Sequence, residues 1–268
     1  MMCCYPGEIC AQQNKTVSAK ARRVVALSSL SADLVVSMNP DVLIGVPGTS
    51  LTNQDPRYSG LKRVPNGRSQ PSLELILALK PDLVVGAEGF HSRVLDSLGK
   101  LGINILSVNV DHWLSLEKVT RILEGKIDDP RSIVIGLDKL CPVKELSASS
   151  GSSVLILAGV SPKLSPGHQS WSGSLLDRLN LVNSTKDIPG SSQFSGYVTM
   201  SNERLLALNP EKVLVVNPSG NPGELVDELM PFFPLLNKSD FRVMEYYGLI
   251  NPGSLSSIRK TCSALSTL

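Results

Sequence analysis

One phrase occurs three times in the chain and constrains its fold more than any other feature. Residues 74–85 read ELILALKPDLVV, residues 203–216 read ERLLALNPEKVLVV, and residues 33–46 read DLVVSMNPDVLIGV. In each copy an acid (Glu74, Glu203, Asp33) stands seven residues before a proline (Pro81, Pro210, Pro40), and a second acid (Asp82, Glu211, Asp41) follows that proline. The first half is apolar and free of internal Gly and Pro, which predicts helix. The proline cannot continue that helix, and it disfavours the α conformation at Lys80, Asn209 and Asn39. The short Val- and Leu-rich run that follows predicts a buried strand. Each copy is thus one helix–stop–strand unit. Repeated units of this kind imply parallel strands joined by helical crossovers. Two near-identical copies about half a chain apart predict two similar lobes.

The length of 268 residues suits one large domain or two lobes. The net charge is +2, and the only Lys/Arg cluster is Lys20–Arg23. A nucleic-acid partner therefore has no electrostatic footprint. No apolar run approaches the ~18 residues of a transmembrane helix. The cysteines are Cys3, Cys4, Cys10, Cys141 and Cys262. An odd number without a CxxC pair predicts unpaired thiols and no zinc site. Residues 1–21 read as a disordered leader. They lack a charged stretch followed by an apolar one, so no export signal is expected within them. Cys10 lacks the preceding small and aliphatic residues of a lipid-attachment site.

Strands are predicted at 24–28, 42–46, 82–87, 104–109, 154–160, 212–217 and 241–247. Helices are predicted at 30–38, from Pro71 to Pro81, and at 90–100, 115–125, 171–181, 201–208, 222–230 and 253–266. A longer helix, kinked at Pro142, is predicted at 128–149. The N-terminal lobe would occupy 22–112, a connecting helical segment 113–152, and the C-terminal lobe 153–268. A long loop, 47–70, interrupts the first lobe and is of a length more often functional than idle.

Ligands of open parallel sheets bind beyond the carboxyl ends of the strands. His91, near Phe90, follows the strand at 82–87. His112 and Trp113 follow the strand at 104–109. His168 and Trp171 follow the strand at 154–160. Tyr197 and Phe194 lie in or near a similar loop, and Tyr246 ends the strand at 241–247. All three histidines and both tryptophans of the chain share this class of position. They predict a ligand cleft lined by aromatic and imidazole groups from both lobes. Singly, a loop His is usually solvated and a Trp usually caps a core edge, so fewer than half of these residues are expected to touch ligand. Arg68, in the long loop, suits an anionic ligand. Glu74 and Glu203 complement a helix dipole if they lie in a first turn. Asp33, in the same register, favours that reading; docking onto a basic partner is the other. No GxSxG, HExxH, Walker A or GxGxxG motif is present, and Asp111-His112 is a dipeptide without a candidate nucleophile. No catalytic residues are therefore assigned and no enzyme is expected.

The order of these segments, NPDVLIGV, SLELILALKPDLVVG, LGINILSVN, VLILAGV and SNERLLALNPEKVLVV, resembles periplasmic binding proteins of ABC importers for iron-siderophores, haem and cobalamin. The resemblance covers roughly residues 22–268. It implies two Rossmann-like α/β lobes with parallel sheets, a single connecting α-helix, and a ligand cleft between the lobes. It also implies a monomer outside the cytoplasm that carries a small metal chelate to a membrane permease, which Glu74 and Glu203 would dock. No cofactor or resident metal is implied; the ligand would be an iron chelate, haem or a corrinoid. Cobalamin-binding members have an aromatic where Gly67-Arg68-Ser69 stands, which ranks a ferric siderophore or haem ahead of a corrinoid. A reading from another class is a cytosolic enzyme or sensor on a similar fold.

Overall fold

The computed structural model describes residues 19–66, 70–144, 151–159, 162–189, 192, 196–216 and 222–268. Arg68, Phe194, Cys3, Cys4 and Cys10 lie outside the described residues, as does the leader up to residue 18. Ala21, assigned to that leader by sequence, is instead buried. Its amide donates to the Lys126 carbonyl at 2.7 Å, and its carbonyl accepts from the Asp128 amide at 2.9 Å.

The first sheet contains β1 (Val24–Ala26), β2 (Leu43–Gly48), β3 (Lys62–Asn66), β4 (Leu83–Ala87) and β5 (Asn104–Val108). Its order is β3-β2-β1-β4-β5 and every pairing is parallel. The phrase does here what its pattern predicts. Ser72 caps the helix Leu73–Ala78 by accepting from the Leu75 amide, and Pro81 then precedes β4. Lys80 leaves the right-handed region with φ 49°. The acid after the proline has a task of its own, because both carboxylate oxygens of Asp82 accept backbone amides, from Arg22 and Arg23 at 2.9 Å. That clamp fixes where β1 starts beside β4.

The second sheet contains β6 (Ser153–Ala158), β7 (Leu164–Pro166), β8 (Val182–Asn183), β9 (Tyr197–Thr199), β10 (Lys212–Val216) and β11 (Phe241–Val243). Strands β8 and β10 run parallel to β6, and β11 runs parallel to β10. Strand β7 runs antiparallel to both of its neighbours, β6 and β9, a departure from the all-parallel expectation. The reason is chain length. Only residues 159–163 separate β6 from β7, and a parallel return needs a crossover of a dozen residues or more.

Side-chain alternation along the strands divides the core into three layers. Val25 and Val84 point into an outer core of the first sheet. Leu155, Leu157, Val213 and Val215 point into an outer core of the second. Val24, Ala26, Ile156 and Leu214 face a shared central core. Leu34, Leu116, Leu175 and Ile258 fill that core from the helices Ser29–Met38, Trp113–Lys126, Trp171–Arg178 and Leu255–Leu265. One long helix, Trp113–Lys126, follows the first sheet, and residues 127–152 complete the connection to the second. The longer helix predicted at 128–149 is not continuous: among its described residues, 128–144, only Val134–Leu137 is helical. Pro130 follows Asp129, whose φ of 42° breaks the helical path. Glu124 instead accepts from the Ile133 and Val134 amides, which starts a separate short turn.

Two further expectations fail. The strand predicted at 241–247 ends at Val243, and the chain then enters the short turn Tyr246–Leu249, with Gly248 at φ 95°. A Cβ at Gly248 would lie 2.3 Å from the Ser257 carbonyl oxygen, so glycine is required there twice over. The thiols expected to be unpaired include a disulfide, Cys141–Cys262, with Cα atoms 5.3 Å apart. It fastens the stretch after the short turn to the last helix. Among the described residues no helix is long and apolar enough to cross a membrane.

Candidate functional site

The third copy of the phrase departs from the other two. Glu74 and Glu203 stand in first turns, behind the caps Ser72 and Ser201. Both are exposed, and neither has an ion-pair partner among the described residues. The cap of the first helix is Ser28, which carries Asp33 past the first turn. Asp33 is 1% exposed. It accepts from Arg57 Nη2 at 2.7 Å and from the Leu255 amide at 2.6 Å. It therefore ties the first lobe to the last helix and does not serve the dipole of its own helix.

A cleft of about 710 Å³ lies where loops of the two sheets meet. The first sheet supplies Asn109–His112, directly after β5. The second supplies His168–Trp171 after β7 and Tyr197 from β9. The turn that follows β11 supplies Ile250–Pro252. Its size is within the range of small-molecule pockets.

Local chemistry holds these loops in place. Ser115 Oγ accepts from the amides of Asp111 and His112 at 3.1 Å, which seats both residues at the start of the helix Trp113–Lys126. Ser170 caps the helix Trp171–Arg178 by accepting from the Gly173 amide at 3.1 Å. Gly173 is required by close approach, since a Cβ there would lie 2.5 Å from the His168 carbonyl oxygen. The Trp113 amide donates to Ser174 Oγ at 3.2 Å and so joins the two helices under the cleft.

Each cleft histidine has a carboxylate neighbour. His112 Nδ1 is 2.5 Å from Asp111 Oδ1, and His168 Nδ1 is 3.3 Å from Asp177 Oδ2. Burial pushes the Asp111 carboxyl up, but hydrogen bonds from His112, Ser115 and the backbone outweigh it and hold the group below the usual carboxylate range. The Tyr197 phenol donates to the Ile250 carbonyl at 3.3 Å. Burial pushes its pKa well above that of an ordinary tyrosine, and nearby Tyr246 adds to the shift.

Of the residues singled out by sequence, His112, His168, Trp171 and Tyr197 meet in this cleft. Three do not line it. His91 is 4% exposed, accepts from the Ala87 amide through Nδ1 at 2.9 Å, and has its pKa lowered by burial. It braces the turn after β4. Trp113 is buried, stacked on Trp171 with ring centres 6.1 Å apart, and covered by the Arg178 guanidinium at 4.0 Å. Trp113 is therefore a support of the cleft floor. Tyr246 stands beside Tyr197, half-exposed. Sequence reasoning missed Asp177, Gln169 and Asn251, which line the cleft without any local pattern to mark them. Asp111 had a signal in its dipeptide with His112.

The described backbone matches solved structures over most of its length. An ABC-transporter substrate-binding protein from Listeria monocytogenes is 21% identical, with TM-score 0.69, over 92% of this chain and 98% of that one. A possible iron-binding periplasmic solute-binding protein from Staphylococcus epidermidis is 15% identical, with TM-score 0.71, over 93% and 98%. A periplasmic haem-binding protein from Pseudomonas aeruginosa is 20% identical, with TM-score 0.64, over 92% of each chain. The chain has the fold of two-lobed substrate-binding proteins. That is the architecture its sequence resembles. No family model and no curated protein matches the sequence.

Proposed function

We propose that the protein is the substrate-binding component of an ABC importer, and that its ligand is a metal chelate held in the cleft between the two sheets. The observation that carries this reading is the cleft itself: loops of both sheets converge on a space of about 710 Å³, with imidazole, phenol and indole side chains on its walls. A ferric siderophore or haem ranks first, since His112, His168 and Tyr197 are of the residue types that ligate iron. A corrinoid ranks second. Titrating a ferric siderophore, haem and cobalamin should quench tryptophan emission for one of them, because Trp171 lines the cleft. No quenching by any of the three would overturn the reading.

The buried Cys141–Cys262 bridge supports a site of action outside the cytoplasm, since such bonds persist in oxidising compartments. It weighs against a cytosolic enzyme or sensor. Glu74 and Glu203, one per lobe and both exposed, are the acids that would meet basic residues of the permease. The double substitution Glu74→Lys/Glu203→Lys should abolish uptake in cells carrying that permease while leaving ligand affinity in solution unchanged. Unaltered uptake would return both acids to the service of their helix dipoles.

A further inference from the structure

Among the described residues, the charged groups facing the cleft are all acidic or imidazole: Asp111, Asp177, His112 and His168 line it, and no described lysine or arginine does. The internal segments outside the described residues contain one basic side chain, Arg68. Arg178, which covers Trp113, is already committed. Its Nε donates to the Cys141 carbonyl, and its Nη2 pairs with Asp138.

Each of the lining carboxylates stands against an imidazole, Asp111 beside His112 and Asp177 beside His168. Tyr197 spends its proton on the Ile250 carbonyl. Asn109, Gln169, Ser170, Ser174 and Asn251 add neutral polar groups to the walls. The fixed charges among the described lining residues are therefore the two carboxylates. A cleft lined by one sign of charge concentrates ligands of the opposite sign and repels its own. Haem propionates or a catecholate shell would meet carboxylates with no lysine or arginine among the described lining residues to offset them, and desolvating such a charge unpaired is costly.

We propose that the cleft selects chelates whose outer face is neutral or cationic, such as ferric hydroxamates with an ammonium tail, and rejects polyanionic chelates. This rests on the chelate-binding reading above and narrows it. Asp111 and Asp177 are the residues that set the sign of selection.

The test compares two ferric chelates by tryptophan quenching at neutral pH and low salt. One is ferrioxamine B, a cationic tris(hydroxamate); the other is ferric enterobactin, a trianionic tris(catecholate). The expected result is a Kd lower for the cationic complex by about tenfold or more. The isosteric Asp111→Asn/Asp177→Asn variant, checked for folding by circular dichroism, should bring the two affinities together. Equal or tighter binding of the trianion by the parent would overturn the charge selection and leave the chelate-binding reading intact. An unchanged ratio in the variant would overturn the assignment to these two carboxylates. Binding of neither complex would overturn the binding reading and the selection with it.

Discussion

Replacing Cys141 and Cys262 together by alanine should lower the melting temperature by roughly 5–10 °C. The bridge spans a sequence separation of 121 residues. Crosslinking so long a loop restricts the unfolded chain, and removing a native bridge costs about 2–4 kcal/mol in most proteins. Here a packing loss adds to it. Cys141 and Cys262 are 0% and 1% exposed, both within the shared central core. Two alanines would leave space that the surrounding Leu and Ile side chains fill only in part. The bridge also holds the stretch after the Val134–Leu137 turn against the last helix, where no regular helix or strand secures it. Thermal unfolding of the parent and the double variant, both without reductant, measures the effect. Identical melting curves would show that the bridge contributes nothing to stability.

Asp33→Ala should destabilise the protein by about 2–3 kcal/mol. Asp33 is 1% exposed and accepts from three donors: Arg57, Leu255 and, at 3.5 Å, the Tyr58 hydroxyl. Alanine would leave the Leu255 amide and the buried Tyr58 hydroxyl without their acceptor, at a cost of roughly 1 kcal/mol each. The lost ion pair adds less, because the Arg57 side chain is 43% exposed and keeps Asp55 as a second partner. Asp33→Asn keeps the shape and one acceptor oxygen and should cost less. Asp41→Ala, at the exposed acid of the same phrase, should be near neutral. Denaturant unfolding of the three variants ranks them. If Asp33→Ala proves no worse than Asp41→Ala, the buried acid does not hold the first lobe to the last helix.

The repeated phrase was legible because everything in it acts locally. Apolar spacing predicts a helix, proline ends it, and a Val-rich run predicts a buried strand. Those rules placed the helices at 73–78 and 202–206 and the strands after them. The same rules misread Asp33, since the letters of the phrase do not show where its helix begins. Capping by Ser28 puts that acid in mid-helix, whereas Ser72 and Ser201 put Glu74 and Glu203 in first turns. The segment 128–149 had partial helical periodicity, but Asp129 and Pro130 broke it. Four of the aromatic and imidazole residues chosen for their place after strands do meet in the cleft. His91 and Trp113 have the same position in the sequence, yet their side chains turn inward and are buried.

The sequence alone determined the alternation of helix and strand, the doubling of the phrase, and the ends of the strands at which a ligand would bind. Each of these follows from backbone and side-chain preferences within about ten residues of chain. Only the tertiary structure decided which cysteines pair, which acid is buried, and which histidines have carboxylate neighbours. Cys141 meets Cys262 across 121 residues, and Asp33 meets Leu255 across 222. Contacts at such separations depend on how two sheets and four helices close on one core, and no local pattern encodes that closure.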